Sequence, residues 1–367
     1  LGAYRFDRYR SKKSSRRASL DHLTLLEATR AGARQAAAEV GQAADVAAAV
    51  AWARDLVNEP AGVMTPRKLA DEASRMARAH GLRCEVRGPA EIRRLRMGMF
   101  LGVAQGSAEE PRLIHLAWEP RGAAGRRAPF CIVGKAITFD SGGLSLKTNE
   151  GMLDMKTDMA GAAAALGAMR AIAGLRPPFP VHAFMGACEN MPGGRAYKLG
   201  DVLVSRAGKT VEITNTDAEG RLVLGDVLAW ANDWKPAALV DLATLTGACM
   251  VALGMNTAGL FSPDDPLAGE LLSAAHAAGE DLWRLPLTDQ LRDGLKSDIA
   301  DMKNTGERWG GAITAALFLR EFVGKTPWAH LDIAGPSFSH RERGYVPKGG
   351  TGVGVRTLVE WVRQRAG

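Results

Sequence analysis

The chain has 367 residues, 46% of them hydrophobic and 24% charged. That is enough for one large core or two domains, with the charge content of an ordinary globular protein rather than a disordered one. No apolar run reaches the roughly 20 residues of a membrane-spanning helix, so the sequence offers no membrane function. The net charge of +7 is a local matter, because residues 1–17 hold seven cations (Arg5, Arg8, Arg10, Lys12, Lys13, Arg16, Arg17) against Asp7 and leave the remainder near neutrality.

The basic opening, interleaved with Tyr4, Phe6 and Tyr9, offers a contact for nucleic acid. A linker or strand edge with solvated charges is the plainer reading, since no zinc knuckle or helix-turn-helix pattern accompanies it. Leu1 stands where a Met would be expected and no signal peptide opens the chain, so a missing or processed N-terminus is expected. Residues 20–57 read as an Ala-rich helix with Leu20, Leu23 and Leu26 at helical spacing, broken at Asn58–Gly62. A second helix follows, with Thr65 as N-cap, Pro66 at its first position and Gly81 as its stop.

Short apolar β-like runs come next at Arg83–Val86, Leu113–Trp118, Phe130–Val133, Pro180–Met185, Val211–Thr214, Ala238–Thr246 and Trp328–Ile333. Helical stretches fall at Asp158–Ala173, Leu222–Trp234, Ile313–Val323 and Thr351–Gln364. This alternation predicts an α/β layer fold, a mixed and mostly parallel sheet flanked by helices. Glycines cluster in the loops after strands, where open α/β sheets bind ligands. Four cysteines (Cys84, Cys131, Cys188, Cys249) sit singly in apolar surroundings, which fits buried free thiols better than a disulfide frame.

The most informative stretch is Asn215-Thr216-Asp217-Ala218-Glu219-Gly220-Arg221, between a β-like run and a helix. In extended backbone two acids two residues apart face one side, so Asp217 and Glu219 are expected to meet at one point. Crowding like charges is costly unless something positive lies between them; Arg221 balances one acid, and a divalent cation balances both. A second cluster runs from Lys135 through a Gly-rich loop to Asp140, Lys147 and Asp158. A surface salt bridge, or an N-cap in the case of Asp158, explains any one of these groups alone. Four ionisable groups set among Gly, Ala, Phe, Ile and Met point to pairing or metal binding.

Other chemistries lack their patterns: there is no H-E-x-x-H, G-x-S-x-G or G-x-x-x-x-G-K-[ST]. The seven histidines show no ligand spacing, and His182 and His330 lie inside apolar runs as core imidazoles. Cys188 and Ser141 have no recognisable base partner. What remains is an acid-rich site with lysines, which suits hard cations such as Mg²⁺ and Mn²⁺ and also accommodates Zn²⁺. Three or four carboxylates can neutralise two such ions, and a two-metal site makes hydroxide available near neutral pH.

The Lys135…Asp140…Lys147…Asp158 series, followed by the string at 215–221, resembles the leucyl aminopeptidase (M17 cytosol aminopeptidase) family of dinuclear metallopeptidases. The likeness continues through Cys188–Tyr197, Leu242–Gly247 and Asp332–Gly335. It implies a zinc-peptidase-like catalytic domain over residues 46–367, preceded at 1–45 by the tail of a smaller α/β N-terminal domain and a linker helix. It also implies a cytoplasmic homohexamer acting on peptides with a free N-terminus.

By the same resemblance, Asp140 and Glu219 bridge two divalent metals (Mn²⁺ or Zn²⁺, with Mg²⁺ as an alternative). Asp217 completes one site, and Lys135 and Asp158 complete the other. Lys135 must then bind as a neutral amine, which needs a lowered pKa. Lys147 polarises the scissile carbonyl, and Arg221 holds a bicarbonate that serves as general base. Met155, Thr244, Gly247 and Ala334 line the pocket for the first side chain, with ordinary core packing as the competing reading. Ala136, Thr148 and Ser337 depart from the family pattern, where glycine, proline and a bulkier apolar residue are expected; they bear on side-chain preference, not on the ligands.

Overall fold

The computed structural model describes residues 1, 4–11, 22 and 24–366. Its strands are β1 (Arg83–Arg87), β2 (Arg112–Trp118), β3 (Phe130–Asp140), β4 (Val181–Asn190), β5 (Val202–Val204), β6 (Thr210–Glu212), β7 (Ala238–Ala243), β8 (Ala258–Phe261), β9 (Leu282–Arg284), β10 (Met302–Lys303) and β11 (Trp328–Asp332), with a short β12–β13 pair at Phe338–Ser339 and Gly349–Gly350. The helices are α1 (Arg30–Asn58), α2 (Pro66–His80), α3 (Pro89–Arg94), α4 (Gly98–Ala104), α5 (Asn149–Met152), α6 (Ala160–Leu175), α7 (Glu219–Ala231), α8 (Gly247–Leu253), α9 (Asp265–Ala278), α10 (Gly311–Arg320) and α11 (Val355–Ala366).

Eight strands form one mixed sheet in the order β1-β2-β4-β3-β7-β11-β8-β9. The four central strands, β4, β3, β7 and β11, run parallel, as the sequence pattern predicts. Antiparallel pairings enter toward the edges, at β1–β2, β2–β4 and β11–β8. Both faces are covered. Residues of α1, α2, α6, α9 and α11 pack one face with Ile132 and Ala136 of β3, while α4, α7 and α10 pack the other with Cys131, Val133 and Ile137. That two-sided burial explains why the central strands read as continuous apolar runs rather than as alternating ones.

One irregularity decides where the chemistry falls. Lys135 and Asp140 are five residues apart, an interval that sends side chains to opposite faces of a regular strand. In β3 the register against β4 shifts between Ile137 and Phe139, so Lys135 pairs with Gly186 and Asp140 with Asn190, an even step on the partner strand. The β-bulge absorbs one residue, and both side chains emerge on the α7 face.

The helix predicted at 20–57 begins at Arg30, where the Thr29 hydroxyl accepts the Gly32 N–H. Leu20 and Leu23 lie outside the described residues, and the described residues at 22 and 24–29 are not helical. α1 runs without interruption across the predicted domain boundary at 45/46. In the basic arm, Lys12, Lys13, Arg16 and Arg17 also lie outside the described residues. Its earlier part packs on the end of α1: the Tyr4 hydroxyl donates to Asp55 at 2.7 Å and Arg8 pairs with Asp55 (2.9 Å) and Glu59. Among the described residues no helix is long and apolar enough to cross a membrane.

Candidate metal centre

The carboxyl ends of β3, β4, β7 and β11 open onto a single site, as expected of an open α/β sheet. Lys135 rises from within β3 and Asp140 ends it. Lys147 sits on the loop between β3 and α5, and Asp158 just ahead of α6. Asp217 and Glu219 arrive from across the site, on the turn that opens α7.

Here the extended backbone expected at 215–219 is not found. Asp217 lies in a turn and Glu219 is the first residue of α7, so the two acids converge because the chain folds back, not through strand alternation. Glu219 at a helix N-terminus also gains from the positive end of the helix dipole. Asp158 is not an N-cap: it closes a short 3₁₀ turn, and Met159 occupies the cap of α6.

Oxygens of Asp140, Asp217 and Glu219 all lie within 4.8 Å of one another. The Lys135 ammonium contacts Asp158 Oδ1 at 2.8 Å, Glu219 Oε1 at 3.0 Å and the Thr244 carbonyl at 2.9 Å. The Lys147 ammonium contacts Asp140 Oδ2 at 2.9 Å and Asp217 Oδ1 at 2.5 Å. Two glycines make this packing feasible. A Cβ on Gly220 would stand 2.4 Å from Lys135 Cε, and Gly142, at φ +88°, turns the loop back within reach of Asp217. The site is buried at Lys135, Asp158 and Glu219 and opens to solvent at Asp217, whose side chain is 33% exposed.

Electrostatics mark the site as short of positive charge. Burial, reinforced by the neighbouring Asp140, raises the Glu219 and Asp217 carboxyls; burial also raises Asp158, where Lys135 opposes it. Burial acts to lower Lys135, as expected of an amine ligand, but Asp158, Glu219 and Asp140 outweigh it and push the group up. Among these side chains alone Lys135 is therefore an ammonium, and a cation entering beside it must displace its proton. Four acids face only two lysines, and Asp158 Oδ2 and Glu219 Oε2 are buried without a hydrogen-bond partner. Orphaned carboxylate oxygens are costly unless a cation meets them, so this donor set fits divalent metal.

Arg221, two residues beyond Glu219 on α7, donates from its Nη1 to the Asn304 carbonyl at 2.8 Å, while its Nε is buried and unpartnered. Burial lowers its pKa to about 10, with Glu219 and Asp332 acting against that. It stays charged at neutral pH, and its free N–H is available to an anion.

The pocket residues are placed unevenly. Thr244 is half-buried and donates to Asp158 Oδ1 at 2.7 Å, Ala334 and Met155 are half-buried, and Gly247 is exposed at the start of α8. Asp332, to which sequence reasoning gave no role, ties Ala334 to the segment just after Thr244. It accepts from Leu245 N (3.3 Å), Thr246 Oγ1 (2.7 Å) and Ala334 N (3.1 Å). Asn190 and Thr216 were likewise missed. Thr216 Oγ1 accepts from Ser145 N and donates to the Gly142 carbonyl, both at 2.7 Å, clasping the two acid-bearing loops. The available signal was that all three residues lie inside the strings that carry the family resemblance.

Comparison with known proteins identifies the family and the fold. The family model described as "Cytosol aminopeptidase family, catalytic domain" matches residues 51–359. The chain is 52% identical to the probable cytosol aminopeptidase of Synechococcus sp. (strain JA-3-3Ab) and 50% identical to that of Geobacter sp. (strain M21). Each match takes in 100% of this chain, and 72% and 74% of those proteins respectively. Among solved structures, "Bottromycin maturation enzyme BotP in complex with Mn" superposes with a TM-score of 0.89 at 42% identity, covering 99% of this chain and 77% of that one.

Proposed function

The chain belongs to the cytosol aminopeptidase family, making it a metal-dependent hydrolase of leucyl aminopeptidase type, and from that premise we propose that it removes unblocked N-terminal residues such as Leu and Met from peptides. Asp140, Asp217 and Glu219 would hold divalent metal on the open side of the site, and Asp158 and Lys135 on the buried side, with Asp140 and Glu219 shared. Two such ions, Mn²⁺ or Zn²⁺ with Mg²⁺ as the alternative, supply Lewis acidity and a water acidic enough to attack near neutral pH. The similar BotP structure is a complex with Mn, which favours Mn²⁺ as the first ion to test.

This chain's residues then divide the work. Lys147 carries a charged ammonium at the open edge, its pKa raised by Asp140 and Asp217 against the lowering effect of burial, and it stabilises the oxygen of the scissile carbonyl as negative charge develops there. Arg221 cannot accept a proton near neutral pH. Its planar guanidinium would hold an oxyanion, and bicarbonate is the one we assign, which would supply a general base beside the metal site. Thr244, Gly247, Ala334 and Met155 surround the first side chain with small and apolar groups, which suits unbranched or branched aliphatic residues. We further infer a cytoplasmic homohexamer, a state that light scattering at micromolar concentration would test.

The observation that carries this reading is the convergence of four acids and two lysines around buried carboxylate oxygens that no protein group satisfies. Its test is hydrolysis of Leu-, Met- and Arg-amides by metal-stripped protein with Mn²⁺, Zn²⁺ or Mg²⁺ restored, beside an N-acetylated Leu-amide. We expect activity only with metal, faster on Leu and Met, and none on the acetylated compound. Cleavage of that compound at a similar rate would refute anchoring through the free amine.

A further inference from the structure

Asn190 ends β4 and is completely buried. Because of the bulge in β3 it lies opposite Asp140, and it makes contacts to both acid-bearing loops. Its Nδ2 donates to Asp140 Oδ1 at 2.8 Å and to the Thr216 carbonyl at 2.9 Å. Its own backbone carbonyl accepts from Ser141 N at 3.0 Å and Ser141 Oγ at 2.7 Å. Asp140 Oδ1 receives a second donor, Gly142 N, at 2.8 Å.

Two donors fill the in-plane acceptor positions of a carboxylate oxygen. Asp140 Oδ1 is therefore spent, and Oδ2, which faces the Lys147 ammonium, is the oxygen left for a cation. We propose that Asn190 is a positioning residue for the metal pair: it commits Asp140 to engage metal through Oδ2 alone and fixes loop 140–147 against loop 215–219. This rests on the metal centre proposed above. An amide suits the task because it donates twice without adding charge. A carboxylate of the same shape would lose both donors and set a fifth acid against Asp140.

The test is Mn²⁺ binding to the metal-stripped full chain, followed by titration calorimetry and by the electron paramagnetic resonance signal of neighbouring Mn²⁺ ions. Asn190→Asp and the smaller Asn190→Ser are expected to weaken binding about 10–100-fold, the usual cost of losing an outer partner of a metal ligand, and to lose the paired-ion signal. If Asn190→Asp does not fold, the comparison is read on Asn190→Ser. The control is Tyr197→Phe, which removes the 2.7 Å hydrogen bond to the same Thr216 carbonyl but touches no carboxylate; its affinity should stay within about threefold of the unaltered chain, well short of that outer-partner loss. An equal loss in Tyr197→Phe, or unchanged affinity in both Asn190 variants, overturns the role of Asn190. Failure of the unaltered chain to bind Mn²⁺ would instead overturn the metal centre itself, and this role with it.

Discussion

Helix α7 carries two buried acids seven residues apart, Glu219 and Asp226, exposed by 1% and 0%. Burial raises both, Asp226 to about 7. Their partners differ. Asp226 accepts the Arg206 N–H at 2.7 Å and the Phe100 N–H at 3.0 Å, so each of its oxygens is met by backbone. Glu219 has one oxygen against Lys135 and one against nothing. A perturbed carboxyl by itself does not separate a functional acid from a structural one; the unsatisfied oxygen does. Asp226 staples α7 to the start of α4 and to the turn after β5, whereas Glu219 leaves an oxygen that the proposed metal centre would use.

The contrast is sharpest in Glu219→Gln, which keeps volume and removes charge. We expect Mn²⁺ affinity to fall by more than the ~10–100-fold cost of an outer partner and turnover to vanish, while urea denaturation finds the metal-free protein no less stable. Lys147→Ala should separate chemistry from binding at the same site. Its kcat is expected to drop about 100–1000-fold, as for the loss of an oxyanion donor, with metal content by elemental analysis unchanged; stripped metal would mean that its role is misassigned.

Asp226→Leu should do the reverse of Glu219→Gln. Two buried N–H groups lose their acceptor, at about 1–3 kcal/mol each, so urea denaturation should show a loss of about 2–6 kcal/mol with per-molecule turnover nearly intact. The smallest effect concerns pH. A folded pKa of about 7 against an unfolded value near 4 means that the folded state keeps the Asp226 proton through that interval. Its contribution is then complete below pH 4 and declines as pH rises toward 7. The stability gap between the natural chain and Asp226→Leu should narrow from pH 5 to pH 7.5. A widening gap would show that the backbone donors, not burial, control this carboxyl.

Much of the fold was legible because its signals are local. Thr65, Pro66 and Gly81 delimit α2 as read, and the apolar runs locate the central strands. β3 and β4 extend to Asp140 and Asn190, past their predicted ends, because Gly134 and Lys135 in one and Gly186 and Ala187 in the other interrupt the apolar runs yet pair in the sheet regardless. α11 starts at Val355, not Thr351, since Gly352 and Gly354 take positive φ just before it. α9 went unread although Asp264 caps it and Gly279 stops it. At the site, the residue types announced the chemistry, but the turn at Asp217 and the roles of Asn190 and Asp332 depend on contacts between distant segments. Asp332 reaches Thr246 across 86 residues, a relation that no local pattern encodes.

The bulge in β3 makes the centre sensitive to chain length in a way that residue identity does not capture. Inserting one residue between Lys135 and Ile137 would remove no proposed ligand, lysine or arginine, yet with the bulge still absorbing one residue the interval on the ladder would become odd and swing Asp140 toward the α6 layer. Such a lengthened chain would keep every atom of its chemistry and lose their meeting point, so what it inherits as essential at that position is a count rather than a side chain.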